Sequence, residues 1–357
     1  MCQARSHRNS ISCILPPYTL DSIARNAAPR ERTYALQTSG TDTTFRTMRV
    51  NHDLLSVVER RLPTAMPAGQ PQRTIYDTHY TTRLPGDVVR TEGSGPTGDL
   101  AVDEAYDGLG DTYNLYWQVY QRNSIDDQGL PIDATVHFDQ HYDNAFWNGE
   151  RMVFGDGDGV YFNRFTIPVD VIGHELTRGA IGDEAKLVYL NQPGAMNESI
   201  ADVFGSLVKQ FAAQQTAEQA DRLIGVGLYT ERVQGVALRS MKAPGTAYDD
   251  PVLGKDPQPG TTQDYVQTLA DNGGVHINSG IPNHAFALAA IQIGGYAWEK
   301  AGRIWYETLL DPRLRPTASF QKFAGLTVAN ADRLYGLSSP ERLAVRDAWR
   351  EVRVMVS

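Results

Sequence analysis

The periodicity of apolar residues changes once along this chain, near residue 168, and that change limits the folds open to it. Before it, short alternating runs read as strands: 74–80, 87–91, 134–139 and 152–154. One helix interrupts them over 100–121. Asp99 can cap it, and Val102, Tyr106, Leu109, Tyr113, Tyr116 and Val119 fall at helical spacing. The runs 134–139 and 152–154 flank a loop at 140–150, the pattern of a hairpin, and Gly155–Gly159 forms an acidic turn. After the change, helical spacing dominates over 195–215, 217–225, 283–293, 296–309, 318–333 and 339–354. A helix over 169–181, opened by Pro168, separates the two regimes. There are no internal repeats. Strands followed by helices predict an α+β protein of two domains, with the 169–181 helix lining the cleft between them.

A leader precedes this body. Pro63, Pro67, Gly69 and Pro71 mark a linker, which sets the expected units at 1–65, 73–182 and 183–357. The leader is polar and Arg-rich around Ile14-Leu-Pro-Pro-Tyr18. A helix is expected over Leu20–Leu36, with Asp21 near its start, and a second over 46–62. The net charge is −9, yet residues 1–65 carry +4 and the remainder −13. A basic leader can dock on an acidic body, or be a solvated tail. The acidic total argues against nucleic acid as a partner, and no apolar run reaches the roughly 18 residues of a membrane span. Both cysteines, Cys2 and Cys13, lie in the leader, so disulfides do not hold the body together. A Cys13 thiolate is a candidate inhibitory metal ligand. Ile11–Leu15 is too short and too polar for a typical secretory signal. Export by an unconventional route, or a cytoplasmic location, is expected.

The chemistry-bearing stretch is Asp170-Val-Ile-Gly-His-Glu-Leu-Thr-Arg178. In His-Glu-x-x-His, residues i and i+4 share a helix face and hold one zinc, while the glutamate faces the metal-bound water. Here His174 and Glu175 are present and position 178 is arginine. Alone, a His-Glu pair on a helix says little. Two further stretches strengthen it. Asn197-Glu-Ser-Ile-Ala-Asp202 places Glu198 and Asp202 on one helix face, and Asp271-Asn-Gly-Gly-Val-His276 packs glycines beside a histidine.

With these motifs in order and at these spacings, residues 73–357 resemble the thermolysin family of zinc metallopeptidases. The resemblance implies a two-domain fold and hydrolysis of peptide bonds before bulky apolar residues. It implies His174 and Glu198 as zinc ligands, Glu175 as general base, and Tyr189 and His276 as stabilisers of the oxyanion. Asp271 would orient His276. Asp170 would hold the second nitrogen of His174, with Asp202 a further carboxylate behind the ligands. Asn144 and Arg239 match residues that hold the substrate backbone, and Phe162, Phe165, Val171 and Leu238 match the walls of the pocket after the scissile bond. The leader's Pro16-Pro17-Tyr18 resembles the protealysin-like branch, whose short propeptide covers the active site of the zymogen. The expected partners are thus a peptide or protein substrate and the chain's own propeptide. Lys209 stands where the family has a calcium-binding acid, so that calcium site is expected to be missing or reduced.

Arg178 departs from this pattern. A guanidinium has no lone pair for a metal and stays charged. At an effective dielectric of about 20, a unit charge ~4 Å from a divalent ion costs on the order of 8 kcal/mol. Zinc binding is therefore expected to be weakened. Arg178 could instead bridge Glu198 and Glu175 in a buried ion cluster. A weakened zinc endopeptidase and a metal-free pseudoprotease that binds peptides or inhibitors both follow. His and Arg codons differ by one base, so the complete motif is a single substitution away.

Overall fold

Two prolines shape the leader. In the computed structural model, which describes residues 13–55 and 67–356, helices α1 (Pro17–Asn26) and α2 (Pro29–Leu55) each begin at a proline. The single helix expected over Leu20–Leu36 is therefore two. Ala27 is extended (φ −77°, ψ 169°) and Ala28 precedes Pro29, a position that disfavours helix. The expected 46–62 helix continues α2 as far as Leu55, and its remainder lies outside the described residues.

The first half of the body holds β1 (Arg73–Asp77), β2 (Asp87–Thr91), α3 (Leu100–Tyr120), β3 (Ile132–Val136), β4 (Ala145–Trp147) and β5 (Arg151–Phe154). Asp99 caps α3 as expected, accepting from the N–H groups of Ala101 and Val102. The sheet order is β2-β1-β3-β5-β4. The hairpin expected between 134–139 and 152–154 does not form. β3 and β5 run parallel, with Asp133 opposite Arg151 and Thr135 opposite Val153. The chain travels out along 137–144 and returns through β4, so the hairpin is β4–β5. Asn148 closes that turn by accepting from Glu150 and Arg151 N–H. The consequence is that β4 forms an edge of the sheet.

The second half contains α4 (Val169–Asp183) and α5 (Asn191–Ala212), then two short antiparallel pairs. These are β6 (Leu223–Ile224) with β7 (Arg239–Ser240), and β8 (Asp249–Asp250) with β9 (Gly254–Lys255). Helices α6 (Asp271–Asn278), α7 (Gly280–Ile293), α8 (Ala301–Leu309), α9 (Phe320–Tyr335) and α10 (Pro340–Glu351) complete it. The helix expected over 217–225 is instead turn and strand, because Arg222 adopts a left-handed φ of 58° just before β6. The 296–309 helix starts only at Ala301, after a turn in which Gly302 N–H reaches Ala297 O.

Helix α4 packs along α5, and glycine permits the closeness. A Cβ on Gly205 would lie 2.3 Å from the Asp170 carbonyl oxygen. One continuous hydrophobic core spans both halves and includes the leader's Ile14, Leu15, Leu20 and Ile23, each at most 2% exposed. At about 1.5–3 kcal/mol for each fully buried side chain, these four anchor the leader firmly to the body. Among the described residues, no helix is long and apolar enough to cross a membrane.

Candidate active site

Helix α4 contributes His174, Glu175 and Arg178, all buried, and α5 brings Glu198 and Asp202 against them. His174 Nε2 lies 3.5 Å from Glu198 Oε2. Two ligands bound about 2 Å from one tetrahedral ion are separated by a similar distance. His174 Nε2 has no hydrogen-bond partner among the described residues. Its Nδ1 is 2.8 Å from Asp202 Oδ1. Arg239 grips the same carboxylate twice, at 2.9 and 2.8 Å, and Asn283 adds a third donor at 2.8 Å. Burial alone would raise the Asp202 pKa. Arg239 and His174 override it and hold the carboxylate down at about 2. Burial lowers the pKa of His174.

This corrects one expectation. Asp202, not Asp170, orients His174. Asp170 accepts from Gly225 N–H at 3.1 Å and faces Lys209 Nζ at 3.3 Å, which turns it away from the imidazole. Lys209 also contacts both Asp221 oxygens, at 2.9 and 2.8 Å, and the Leu223 carbonyl at 3.2 Å. The ammonium thus fills a nest of oxygen ligands with its own positive charge.

The other side of the centre comes from the 184–190 connection and from α6. Asn272, Gly273 and Gly274 take left-handed conformations within α6. This allows Asp271 to meet His276 twice, at the backbone N–H (2.8 Å) and at Nδ1 (2.6 Å). Tyr189 OH donates to Glu198 and sits 3.2 Å from His276 Nε2. Burial opposes charge on His276, but Asp271 and Glu198 raise its pKa on balance.

Arg178 Nη1 donates to Glu198 Oε1, and the guanidinium lies over the Tyr189 ring, 5.0 Å from its centroid. Burial opposes both charges, yet the pairing holds Glu198 ionised and Arg178 charged. The expected bridge to Glu175 is not made. Glu175 Oε2 instead accepts from Trp147 N–H of β4 at 3.2 Å. Burial, with Glu198 adding to it, pushes the Glu175 pKa to about 8, and Arg178 offsets this only partly. Burial thus favours the neutral form of Glu175, which pulls less on the guanidinium than Glu198 does.

The cleft is filled by the leader. Ile14 N–H donates to Ala145 O of β4 at 3.3 Å, and Cys13 forms a bridge with Phe146. Leu15 N–H donates to Asn144 Oδ1 at 3.1 Å, and Arg239 Nη1 donates to Ile14 O at 3.2 Å. The Cys13 carbonyl oxygen lies 3.2 Å from His276 Nε2. The Cys13 side chain packs among Phe138, Tyr142, Phe146 and Val153. It is the backbone of Cys13, and not its thiol, that meets the centre. Phe162, Phe165, Val171 and Leu238 are buried in the same core as Ile14. Sequence reasoning missed Ala145 and Trp147, whose contributions are backbone atoms, and Asn283; none of them carries a motif.

The helical half, residues 185–354, matches the thermolysin metallopeptidase alpha-helical domain, and residues 30–182 match the thermolysin metallopeptidase catalytic domain. The chain belongs to the thermolysin family of metallopeptidases. An extracellular metalloprotease of Pectobacterium carotovorum is 51% identical over 97% of each chain. Protease PrtS of Photorhabdus is 46% identical over 98% of this chain and 93% of its own. The solved precursor of protealysin, a metalloproteinase from Serratia proteamaculans, superposes with a TM-score of 0.88 at 51% identity, over 96% of this chain and all of its own. The chain thus falls in the protealysin-like branch of this metalloendopeptidase family.

The family implies zinc, and the residues of this thermolysin-family centre do not fit a three-ligand zinc site. His174 and Glu198 converge as two ligands would, but the third position holds a cation already bonded to Glu198. Among the described residues, no three His, Cys, Asp or Glu side chains are arranged to hold a metal ion. His284 offers no replacement, since its Nδ1 faces Gly260 O at 3.0 Å.

Proposed function

We propose that this chain is a thermolysin-like endopeptidase that acts before bulky apolar residues, and that Arg178 keeps its zinc affinity and turnover far below those of a chain with histidine there. The observation that carries the substrate reading is the leader's register. Three backbone groups of Ile14 and Leu15 are held by Ala145, Asn144 and Arg239, and the carbonyl of Cys13 is presented to His276. A substrate in that register places its apolar residue where Ile14 sits, in the apolar core to which Phe162, Phe165, Val171 and Leu238 also belong. Tyr189 and His276, the latter oriented by Asp271, would polarise the carbonyl. Glu175 would be the general base, a role that requires it to lose the proton that burial now retains. His174 and Glu198 are the two remaining ligand positions, with Asp202 fixing the imidazole.

In this reading residues 1–65 are a propeptide that blocks the cleft of a zymogen, 73–182 the sheet-bearing unit and 183–357 the helical unit. The extracellular relatives favour action outside the cell. The Lys209 ammonium takes the place of a calcium ion at the Asp170–Asp221 site.

A second reading is a pseudoprotease, a metal-free module that binds peptides or inhibitors. The Arg178–Glu198 contact favours it, because a guanidinium paired to a ligand leaves that ligand no free charge for a metal. The test is a zinc titration and a peptide assay on the unmodified chain and on Arg178→His. The endopeptidase reading expects zinc to bind the histidine variant at least ~100-fold more tightly, beyond the 10–100-fold typical of losing an outer-shell partner, together with chelator-sensitive cleavage before apolar residues. Zinc bound without cleavage in the variant supports the pseudoprotease. Equal chelator-sensitive activity in both chains shows Arg178 to be harmless.

A further inference from the structure

A second group of carboxylates lies away from the centre, where α2 crosses the body. One face of α2 carries Glu31, Ala35, Thr38, Asp42 and Phe45, at alternating four- and three-residue steps. This face docks along residues 137–146. Tyr34, beside it, stacks on His141 with centroids 4.0 Å apart, and Gln37 donates to Asp139 at 3.2 Å. Thr38 Oγ1 accepts from Asp143 N–H at 3.1 Å, and Asp42 accepts from Tyr142 OH and from Asn144 Nδ2. Phe45 packs against Phe138 and Phe146.

Docking seals in Asp143, which is 1% exposed. Neither of its carboxylate oxygens has a hydrogen-bond partner among the described residues, and the same holds for Asp158 Oδ2 and Glu31 Oε2. Asp158 commits its other oxygen to the N–H groups of Val160, Tyr161 and Phe162. The charged groups facing Asp143 are the Asp158 carboxylate, from the glycine-rich turn, and the Asp42 carboxylate, from α2; the Asp158 N–H opposes them only in part. Among the described residues, the nearby cations are engaged elsewhere. Arg30 bonds the Tyr34 hydroxyl, and Arg232 lies over the Tyr161 ring. No metal-holding arrangement of three ligands exists among the described residues. A sealed carboxyl with no counter-ion among the described residues and only the Asp158 N–H to favour its charge is more stable when neutral. Burial accordingly pushes the Asp143 pKa well above the carboxylate range, and Asp158 and Asp42 push it further.

We propose that docking of the leader takes up a proton at Asp143, so that the leader is held at low pH and loosens as pH rises. When α2 lifts away, Asp143 meets water and loses the Asp42 charge beside it. Its pKa then falls toward the ordinary value of about 3.9. The docked form binds more protons, so the docking constant falls by up to tenfold per pH unit between the two pKa values. This regulation rests on the leader being a docked propeptide. It does not depend on the state of the metal centre.

The test is hydrogen exchange in the full chain between pH 5 and pH 8, each rate divided by the unfolded-chain rate at that pH. Protection of α2 should fall at least tenfold relative to α10 as pH rises. In Asp143→Asn, which cannot ionise, α2 protection should stay level. Asp158→Asn keeps an acceptor for its three N–H groups and should show a shallower fall; it decides the matter if the first variant does not fold. An unchanged slope in the variant that folds overturns the proposal. So does recovery of protection at pH 8 on adding millimolar calcium, which would make the cluster a cation site. An α2 unprotected at every pH overturns the propeptide reading itself, whereas protection that is level across the range overturns only the proton linkage.

Discussion

Glu198 divides the centre into two sides that have fared differently. On the carbonyl side, Asp271, His276 and Tyr189 form a chain of hydrogen bonds that ends on Glu198. On the metal side, His174 is oriented by Asp202 and aimed at Glu198, but Arg178 supplies the positive charge an ion would bring. The first side keeps its geometry because its partners are all protein groups. The second keeps its geometry because a guanidinium replaces the charge and keeps Glu198 ionised. What it does not replace is the lone pair, and with it the open coordination position. Preserved shape at a site is therefore weak evidence for preserved chemistry.

The largest effect should come from restoring that lone pair. Arg178→His is expected to raise zinc affinity at least ~100-fold and to carry cleavage of apolar-site peptides from background to turnover, abolished by chelator. Without zinc the variant should lose stability, because Glu198 then loses the Arg178 guanidinium that pairs with its charge. Breaking one partner of a buried pair costs ~3–5 kcal/mol. Calorimetry with and without zinc measures both.

Next in size is Glu175. Its pKa in the folded chain is raised to about 8 from 4.5. Above pH 4.5 the unfolded chain gives up this proton while the folded chain retains it. Glu175 therefore costs stability increasingly from pH 4.5 to 8. Glu175→Gln, which keeps an acceptor for Trp147 N–H, should gain on the order of 4 kcal/mol at pH 8 and almost nothing at pH 4. Urea unfolding at the two pH values tests this. A gain of equal size at both would mean that the carboxyl is not held neutral.

The two sides also differed in how readily the sequence revealed them. His174, Glu175, Glu198, Tyr189, Asp271 and His276 were named from the resemblance to the thermolysin family, and the structure brings all six together. The helical half was legible because each helix carries its own period. The β3–β5 pairing was not, since alternation gives strands but not their direction, and the return through β4 hangs on three residues. Asp170 was expected against His174, where the structure has Asp202, for a similar reason. Asp170 lies one helical turn before His174 on α4 and Asp202 on the facing α5, and the distant Lys209 and Arg239 decide which carboxylate faces the imidazole. Trp147 and Ala145 act through backbone atoms, which leave no residue signature.

Asp202 tests the claim that the metal side is held by protein charges alone. Its pKa is depressed to about 2 from 3.8. Its stabilisation is complete above pH 4 and is lost as pH falls toward 2. Asp202→Asn should cost ~3 kcal/mol at pH 7, because Arg239 loses its buried partner, and much less at pH 2. Should the loss be the same at both pH values, the carboxylate's charge is not what holds Arg239 and His174 in place.

The smallest expected effect bears most directly on the division itself. Tyr189 OH is bonded to Glu198 and lies 3.2 Å from His276 Nε2, so it joins the two sides. Tyr189→Phe removes one hydroxyl and should cost ~1–2 kcal/mol, since the lost bond goes to an ionised acceptor. Asp271→Asn weakens the carbonyl side from its far end. If the sides stand independently, the two losses add within about 0.5 kcal/mol, as for separated sites. The geometry predicts otherwise. Asp271 raises the pKa of His276 and so favours the imidazolium, whose Nε2 lies 3.6 Å from Glu198 Oε2. Removing the Asp271 charge changes what Glu198 draws from both His276 and Tyr189. A coupling energy of about 1 kcal/mol is therefore expected from the double-mutant cycle, read by urea unfolding at pH 7. A coupling indistinguishable from zero would mean that Arg178 alone satisfies Glu198, and that the carbonyl side persists as a separate hydrogen-bonded unit.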